Sequence, residues 1–328
     1  MSRVRALIPA AAAVGVGVLT ALQAKINGEL AVLLGSGVQA AVVSFGSGFV
    51  VLCVLVLVVP ALRQGLLRLP GEVRAGRLAW WACLGGIGGG FFVAVQSFAV
   101  PLVGVAVFTV GVVGGQTASS LGVDRAGLGP AGRTPVTGAR VLAAVIAVLA
   151  VTVAVSDRIG GSLAGGAGLA ALLPVVAGAG IAVQQAINGR VAVATRQPVV
   201  AAWVNFVVGT AMLVAVLLIG SLALGNAVAP LPSGPWWVYL GGVIGVAFIA
   251  VAAWVVRVLG VLLFALLSVS GQLGGAVLLD LVAPTAGHEV GVRLLLGLAL
   301  TLVAVAVASL GRGGRRPSGS LRGAEVTR

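Results

Sequence analysis

The chain has 328 residues, 60% hydrophobic and only 8% charged, with a mean hydropathy of +1.19 and a formal net charge of +13. A soluble domain carries about 25% charged residues, and no soluble core can bury this much apolar surface, so the solvent for this chain is lipid. The positive charge forms no basic globular region and does not interleave with aromatics, which argues against nucleic acid as a partner.

Ten apolar segments of about twenty residues follow in chain order, each enough to cross a bilayer as a helix. They are predicted at 6–26, 38–59, 78–98, 102–123, 138–156, 165–187, 198–220, 236–256, 259–282 and 290–310. The first has a basic start and small residues at its end, so it also reads as a cleavable signal peptide. The segment 165–187 is its internal counterpart and cannot be cleaved, so we expect a retained span. Its close, LQAKINGEL (22–30), returns as VQQAINGRV (183–191), and Gly28 and Gly189 are expected to end helices. The third and fourth segments almost fuse, with the break at Pro101 and Gly104. The eighth and ninth almost fuse around Arg257 and Gly260. Cys53 and Cys83 sit in apolar runs without metal or redox spacing, and one histidine, His288, cannot build a metal site, so no metal and no cofactor is expected.

Lys and Arg separate by side. With the N-terminus in the cytoplasm, seventeen fall in cytoplasmic segments, and only Lys25, Arg158 and Arg293 fall outside. This asymmetry predicts ten spans with both termini cytoplasmic. Nineteen arginines against one lysine, with heavy Ala, Val and Gly, point to a GC-rich bacterial genome, an inference about codons alone; the expected location of these spans is the bacterial inner membrane.

The echo is part of an ordered repeat. SFGSG (44–48) faces NFVVG (205–209), matching Ser44 with Asn205. WWACLGG (80–86) faces WWVYLGG (236–242), GQTASSLGVD (115–124) faces GQLGGAVLLD (271–280), and GAR (138–140) faces GVR (291–293). The expected fold is therefore all-α, ten transmembrane helices as two five-helix repeats: 1–160, then 161–311, then a basic cytoplasmic tail over 312–328. Because five is odd, the second copy inserts upside down, and the halves relate by a pseudo-two-fold axis in the membrane plane.

The Gln-Ile-Asn-Gly end of the first span, the Gly-Gln-(x)7-Asp fourth span and the five-helix unit together resemble the YdcZ-type family of bacterial membrane proteins. That family belongs to the drug/metabolite transporter superfamily and has EamA-like relatives. The resemblance covers nearly the whole chain, in two copies. It implies a ten-helix transporter with a central pathway lined mainly by spans 1, 3, 4, 6, 8 and 9, and it gives no substrate. One departure stands out: the family's glycine-containing turn after the fourth-span Asp is kept in DRAGLG (124–129) but not in DLVAPT (280–285).

Gln23 and Asn27 share a helix face, as do Gln184 and Asn188. An amide in hydrocarbon must find partners, so these faces point into the bundle. Orientation puts the first pair toward the outside and the second toward the cytoplasm. Two roles fit them, pathway lining and interhelical glue. Gln116 and Gln272 lie deeper, about 12 Å before Asp124 and Asp280, and are the leading candidates for bonding a substrate. Gln96 is a third, matched by Ala252 in the other half. Asp124 and Asp280 are gating candidates, or else solvated span ends or partners for Arg140 and Arg293. Trp80, Trp81, Trp236 and Trp237 read as interfacial anchors.

These features favour a transporter of a small neutral, zwitterionic or weakly amphipathic solute, with the lipid bilayer as its other partner; oligomeric state is not fixed. The rival readings are a structural or regulatory membrane protein and, less well supported, a membrane enzyme, for which no catalytic set is visible. A reporter active only in the cytoplasm is expected to work when fused after Arg328. Activity there from a periplasmic reporter alone would overturn the span count.

Overall fold

The computed structural model describes residues 3–133, 135–159, 167–225, 228–284 and 290–310. Residues 161–166, His288 and the basic tail 312–328 lie outside them. Ten helices are present among the described residues. The first five are α1 (Arg3–Leu34), α2 (Gly37–Val58), α3 (Pro60–Arg74), α4 (Gly85–Val103) and α5 (Val105–Ala126). The second five are α6 (Gly138–Ile159), α7 (Ala167–Thr195), α8 (Pro198–Leu224), α9 (Gly241–Val282) and α10 (Val292–Leu310). Eight helical segments are long and apolar enough to cross a membrane, and 138–154 and 241–256 are shorter apolar ones.

Three expectations need correction. The Gln-Ile-Asn-Gly clusters do not close their helices. α1 runs on to Leu34 and stops where Gly35 takes a φ of +63°, while α7 runs on to Thr195 and stops at Arg196, with a φ of 57°. Gly28 is used for packing instead: a Cβ there would stand 2.9 Å from Val100 Cγ1. Second, the segment after α2, expected only as a stretch between spans, is itself helical. Pro60 opens the amphipathic α3, which buries Leu62 and Gly65 and leaves Leu67 exposed. Just beyond it Arg77 forks onto Glu72 at 2.8 and 2.9 Å, and that guanidinium holds the Glu72 carboxyl below its ordinary range. Third, α9 has no gap between the eighth and ninth predicted spans.

α9 is nonetheless not one straight rod. A 42-residue helix would be about 63 Å long, yet both its ends meet α1 within two residues. Gln23 Nε2 donates to Gly241 O at 2.8 Å and Lys25 Nζ to Ala283 O at 2.8 Å. Further along, Gly245 lies against Gln23, whereas Gly271 and Gly275 lie against Val14 and Val18. The first arm of α9 is thus antiparallel to α1 and the second parallel to it, with the arms abutting. α4 and α5 make the same reversal, but there Gly104, at a φ of +83°, marks the break.

The halves exchange their first helices. Gly17 of α1 sits on the backbone of Ser268, Gly271 and Gln272 in α9, and its equivalent, Gly178 of α7, sits on Val112 and Gln116 in α5. Gly271 packs on Val14, and Gly115 on Val175. Gly242 approaches Ser44 O and Gly48 N, and Gly86 approaches Asn205 O and Gly209 N. At the centre α2 crosses α8. Phe45 and Phe206, equivalent residues, stack at 4.7 Å with 24° between planes, each ring over the other helix's glycine, Gly209 and Gly48. Outside this core α6 and α10 pack together through Gly297 on Ala150 and Ala154.

Close approach through glycine is what lipid-phase packing rests on. Gly242→Val places a branched side chain on Ser44 O, and overpacking of this kind costs about 1–3 kcal/mol. It should lower the thermal midpoint in detergent. Gly274→Ala, where a Cβ meets nothing within 4 Å, should not, since alanine adds about 1 kcal/mol of helix propensity.

Candidate functional site

The polar residues collect at the two ends of α4. Asn188 meets Gly85, at its start, and Asn27 bonds Gln96, towards its finish. WWACLGG and WWVYLGG fold alike: a 3-10 turn (Trp80–Leu84, Trp236–Tyr239) leads into a helix opening at Gly85 or Gly241. Asn188 Oδ1 rests against Gly85, and Asn27 Oδ1 against Gly241, where a Cβ would overlap each oxygen. Each amide carbonyl therefore faces the positive end of a helix from the other half.

Beyond that shared feature the two ends differ. At the Asn27 end, Asn27 Nδ2 donates to Gln96 Oε1 at 2.7 Å, and both residues are fully buried. Gln23 Nε2 is used on Gly241 O. At the Asn188 end, Gln184 Nε2 and Asn188 Nδ2 converge on Asn205 Oδ1, at 2.8 and 3.2 Å. The sequence explains the swap. Ser44, the equivalent of Asn205, is too short to collect both amides, and Ala252, the equivalent of Gln96, has no acceptor. Each end has one long acceptor, taken from a different helix.

All six amides thus join helices, and three also keep an unused polar atom. Asn27 Oδ1, Gln96 Nε2 and Gln184 Oε1 are buried without a hydrogen-bond partner among the described residues, as is Ser44 Oγ beside Gly241. Unpaired groups of this kind normally cost about 1–3 kcal/mol each. The deeper pair behaves otherwise. Gln116 Nε2 donates to Gln185 Oε1 at 2.9 Å at an exposed position, while half-buried Gln272 makes no side-chain hydrogen bond among the described residues. Asn205 and Gln185 were not selected from the sequence. The repeat had already aligned Asn205 with Ser44, but nothing local ranked it above other polar span residues.

The two carboxylates sit at matched positions in unlike settings. Asp280 is buried. Its Oδ1 accepts from Val105 N at 3.1 Å and its Oδ2 from Ala106 N at 2.8 Å, so it caps the first turn of α5 from 175 residues away. Gly104 makes room: a Cβ there would lie 3.0 Å from Oδ2. Asp124 is paired with Arg140, which is itself buried. Asn27 and Asp280 are bonded to other groups rather than to each other. Nearby, Arg190 Nη2 donates to Gly127 O at 2.5 Å and its guanidinium lies 5.2 Å over the Trp81 ring, tying α7 to the end of α5.

Hydrogen bonds to a charged group contribute about 1.5–3 kcal/mol. Asp280→Ala should therefore reduce stability by about that amount in thermal or denaturant unfolding. Asp280→Asn, which keeps one carbonyl oxygen for the α5 amides, should lose less. Equal losses would show that the carboxylate does not act as a cap.

A solved structure described as "Crystal structure of protein" is similar over 94% of this chain and 98% of that chain, at 24% identity and a TM-score of 0.51, a likeness of fold alone. No match is found among curated proteins. The family pattern DMT_YdcZ, described as "Putative inner membrane exporter, YdcZ", matches residues 8–153 and again 169–307, consistent with two fused repeats, so this multi-pass transmembrane chain belongs to that transporter family.

Proposed function

We propose that the chain carries a small neutral or zwitterionic metabolite or drug-like solute across the bacterial inner membrane by alternating access. It does so with ten spans, both termini in the cytoplasm, and the second five spans inverted relative to the first. The two arms of α9, the apolar segments 138–154 and 241–256 and the exchanged glycine contacts support this arrangement. One observation carries the transport reading: equivalent residues stand in unequal environments. Asn27 and Gln96 are fully buried and Asp280 nearly so, while Asn188 is half-buried and the Asp124 side chain is 30% exposed. With the arginine asymmetry setting orientation, this is a bundle closed on the outside and looser toward the cytoplasm. Inverted repeats reach the opposite state when the halves exchange these roles.

Asp280 then acts as an outer latch, holding α5 to the second arm of α9. Asp124 is its inner counterpart, held by Arg140 in this state. Gln272, with no side-chain hydrogen bond among the described residues, and Gln116, whose bond to Gln185 is exposed, are the residues most available to a solute, since Gln23, Asn27, Gln96, Gln184 and Asn188 serve as buried or half-buried joints. Those joints favour a second reading, a structural or regulatory membrane protein that transports nothing; efflux measured in a deletion strain separates the two.

Losing about 1.5–3 kcal/mol of latch shifts a two-state balance roughly tenfold or more. On a background without Cys53 and Cys83, Asp280→Ala should raise labelling of a cysteine at position 27 by an impermeant thiol reagent added outside. Asp124→Ala should not. Equal responses from the two variants would remove the latch assignment.

A further inference from the structure

Most glycines of α5 and α7 are filled by a neighbour. A Cβ at Gly111, Gly114, Gly115 or Gly178 would press on Pro174, Val151, Val175 or Val112. Gly122 of α5 and Gly180 of α7 differ, because a Cβ at either meets nothing within 4 Å. Both line the same cleft, of about 500 Å³, together with Phe91, Ser119, Val176 and Val183. A helix-interior glycine costs about 1 kcal/mol against alanine, and here no close contact accounts for that cost. What these glycines do is keep the cleft open. The repeat supports this. By the register that pairs Gln116 with Gln272 and Gln184 with Gln23, the equivalents of Gly122 and Gly180 are Leu278 and Leu19. One half has glycine at both positions, and the other has leucine at both.

The cleft lies toward the Asp124 end, since Val123 and Leu128 border it. Its mouth faces sideways: Phe91 falls on the α4 stripe of Ile87, Phe98 and Leu102, all exposed large apolar residues, and Val176 is 57% exposed. Among the described residues no charged one lines it, and Ser119 is its one polar side chain. The volume is that of a site for a drug-sized molecule, about 300–1,000 Å³.

We propose that this cleft between α4, α5 and α7 is a binding site for a neutral, largely apolar small amphiphile, entered laterally from the cytoplasmic leaflet. The inference deepens the transport reading and rests on it for the direction of entry. A phospholipid chain filling a seam is the competing occupant. Lipid reaches both halves alike, whereas glycine stands at these two positions in one half only; Gly15 of α1 and Gly274 of α9, also open, lie at different positions, so the shape of this cleft is not repeated, which favours a selected solute.

The test uses the full chain in bilayers of phosphatidylethanolamine and phosphatidylglycerol, with a diazirine-bearing decanol as probe and labelled peptides identified by mass spectrometry. Labelling of 119–123 and 176–183 should saturate and be displaced by plain decanol. In the Gly122→Leu/Gly180→Leu double variant it should fall to the level of the other lipid-facing helices. Non-saturable labelling, or labelling unchanged by the double variant, would overturn the site. So would a diazirine-bearing phosphatidylethanolamine that labels these peptides and resists decanol. Should the double variant unfold, the reverse exchange, Leu19→Gly with Leu278→Gly, is expected to add saturable labelling on α1 and α9, and its failure to do so counts against the site. Saturable labelling in a protein that moves no solute would keep the site and remove the transport reading.

Discussion

At the centre of the bundle, Phe45 and Phe206 each lie over the glycine that the other's helix offers, Gly209 and Gly48. In lipid there is no hydrophobic force to draw two helices together, so association depends on close van der Waals approach and on polar bonds between helices. The paired ring-on-glycine contact supplies that approach where α2 and α8 cross. Gly86 and Gly242 then bring α4 onto α8 and α9 onto α2, backbone against backbone. Around those four helices, α1 packs on α9 of the other half as well as on α2 and α4 of its own, and α7 on α4 and α5 as well as on α8. The exchange of first helices brings Asn27 against the start of α9 and Asn188 against the start of α4.

The same geometry brings the polar groups together, and the differences between the copies then set what each end does. Gln96 supplies the acceptor at one end and Asn205 at the other, so the two ends cannot be equally strong. Asp280 reaches the amides of α5, and Asp124 instead meets Arg140. The copies have kept a common backbone plan and exchanged the chemistry hung upon it. A bundle built this way has two related but unequal ends, and the alternating access we propose draws on that inequality.

Much of the plan could be read from residues alone. Composition gave the solvent, hydropathy gave the segments, and the ordered echoes gave the repeat. Gly104 could be placed as a break because a Pro-x-x-Gly interrupts an apolar run. The errors have physical causes. Gly28 looked like a helix end because glycine commonly is one, but in a packed membrane helix the stronger demand was room for Val100. The α3 segment fell between the predicted spans because it is too short and too polar to cross a bilayer, although its leucines recur at helical spacing and Pro60 suits a first turn.

By itself the sequence determined that this chain lives in lipid, that it is helical, that one unit occurs twice, and which positions are equivalent. These follow from local composition and from comparing the chain with itself. Only the tertiary structure decided which amide bonds which, that Asp280 caps a helix 175 residues away, that α9 is two arms joined without a loop, and that Gly122 and Gly180 border the same open cleft. Each of these is a relation between residues far apart in the chain, fixed by how helix faces cross, and hydropathy and spacing carry no record of a partner.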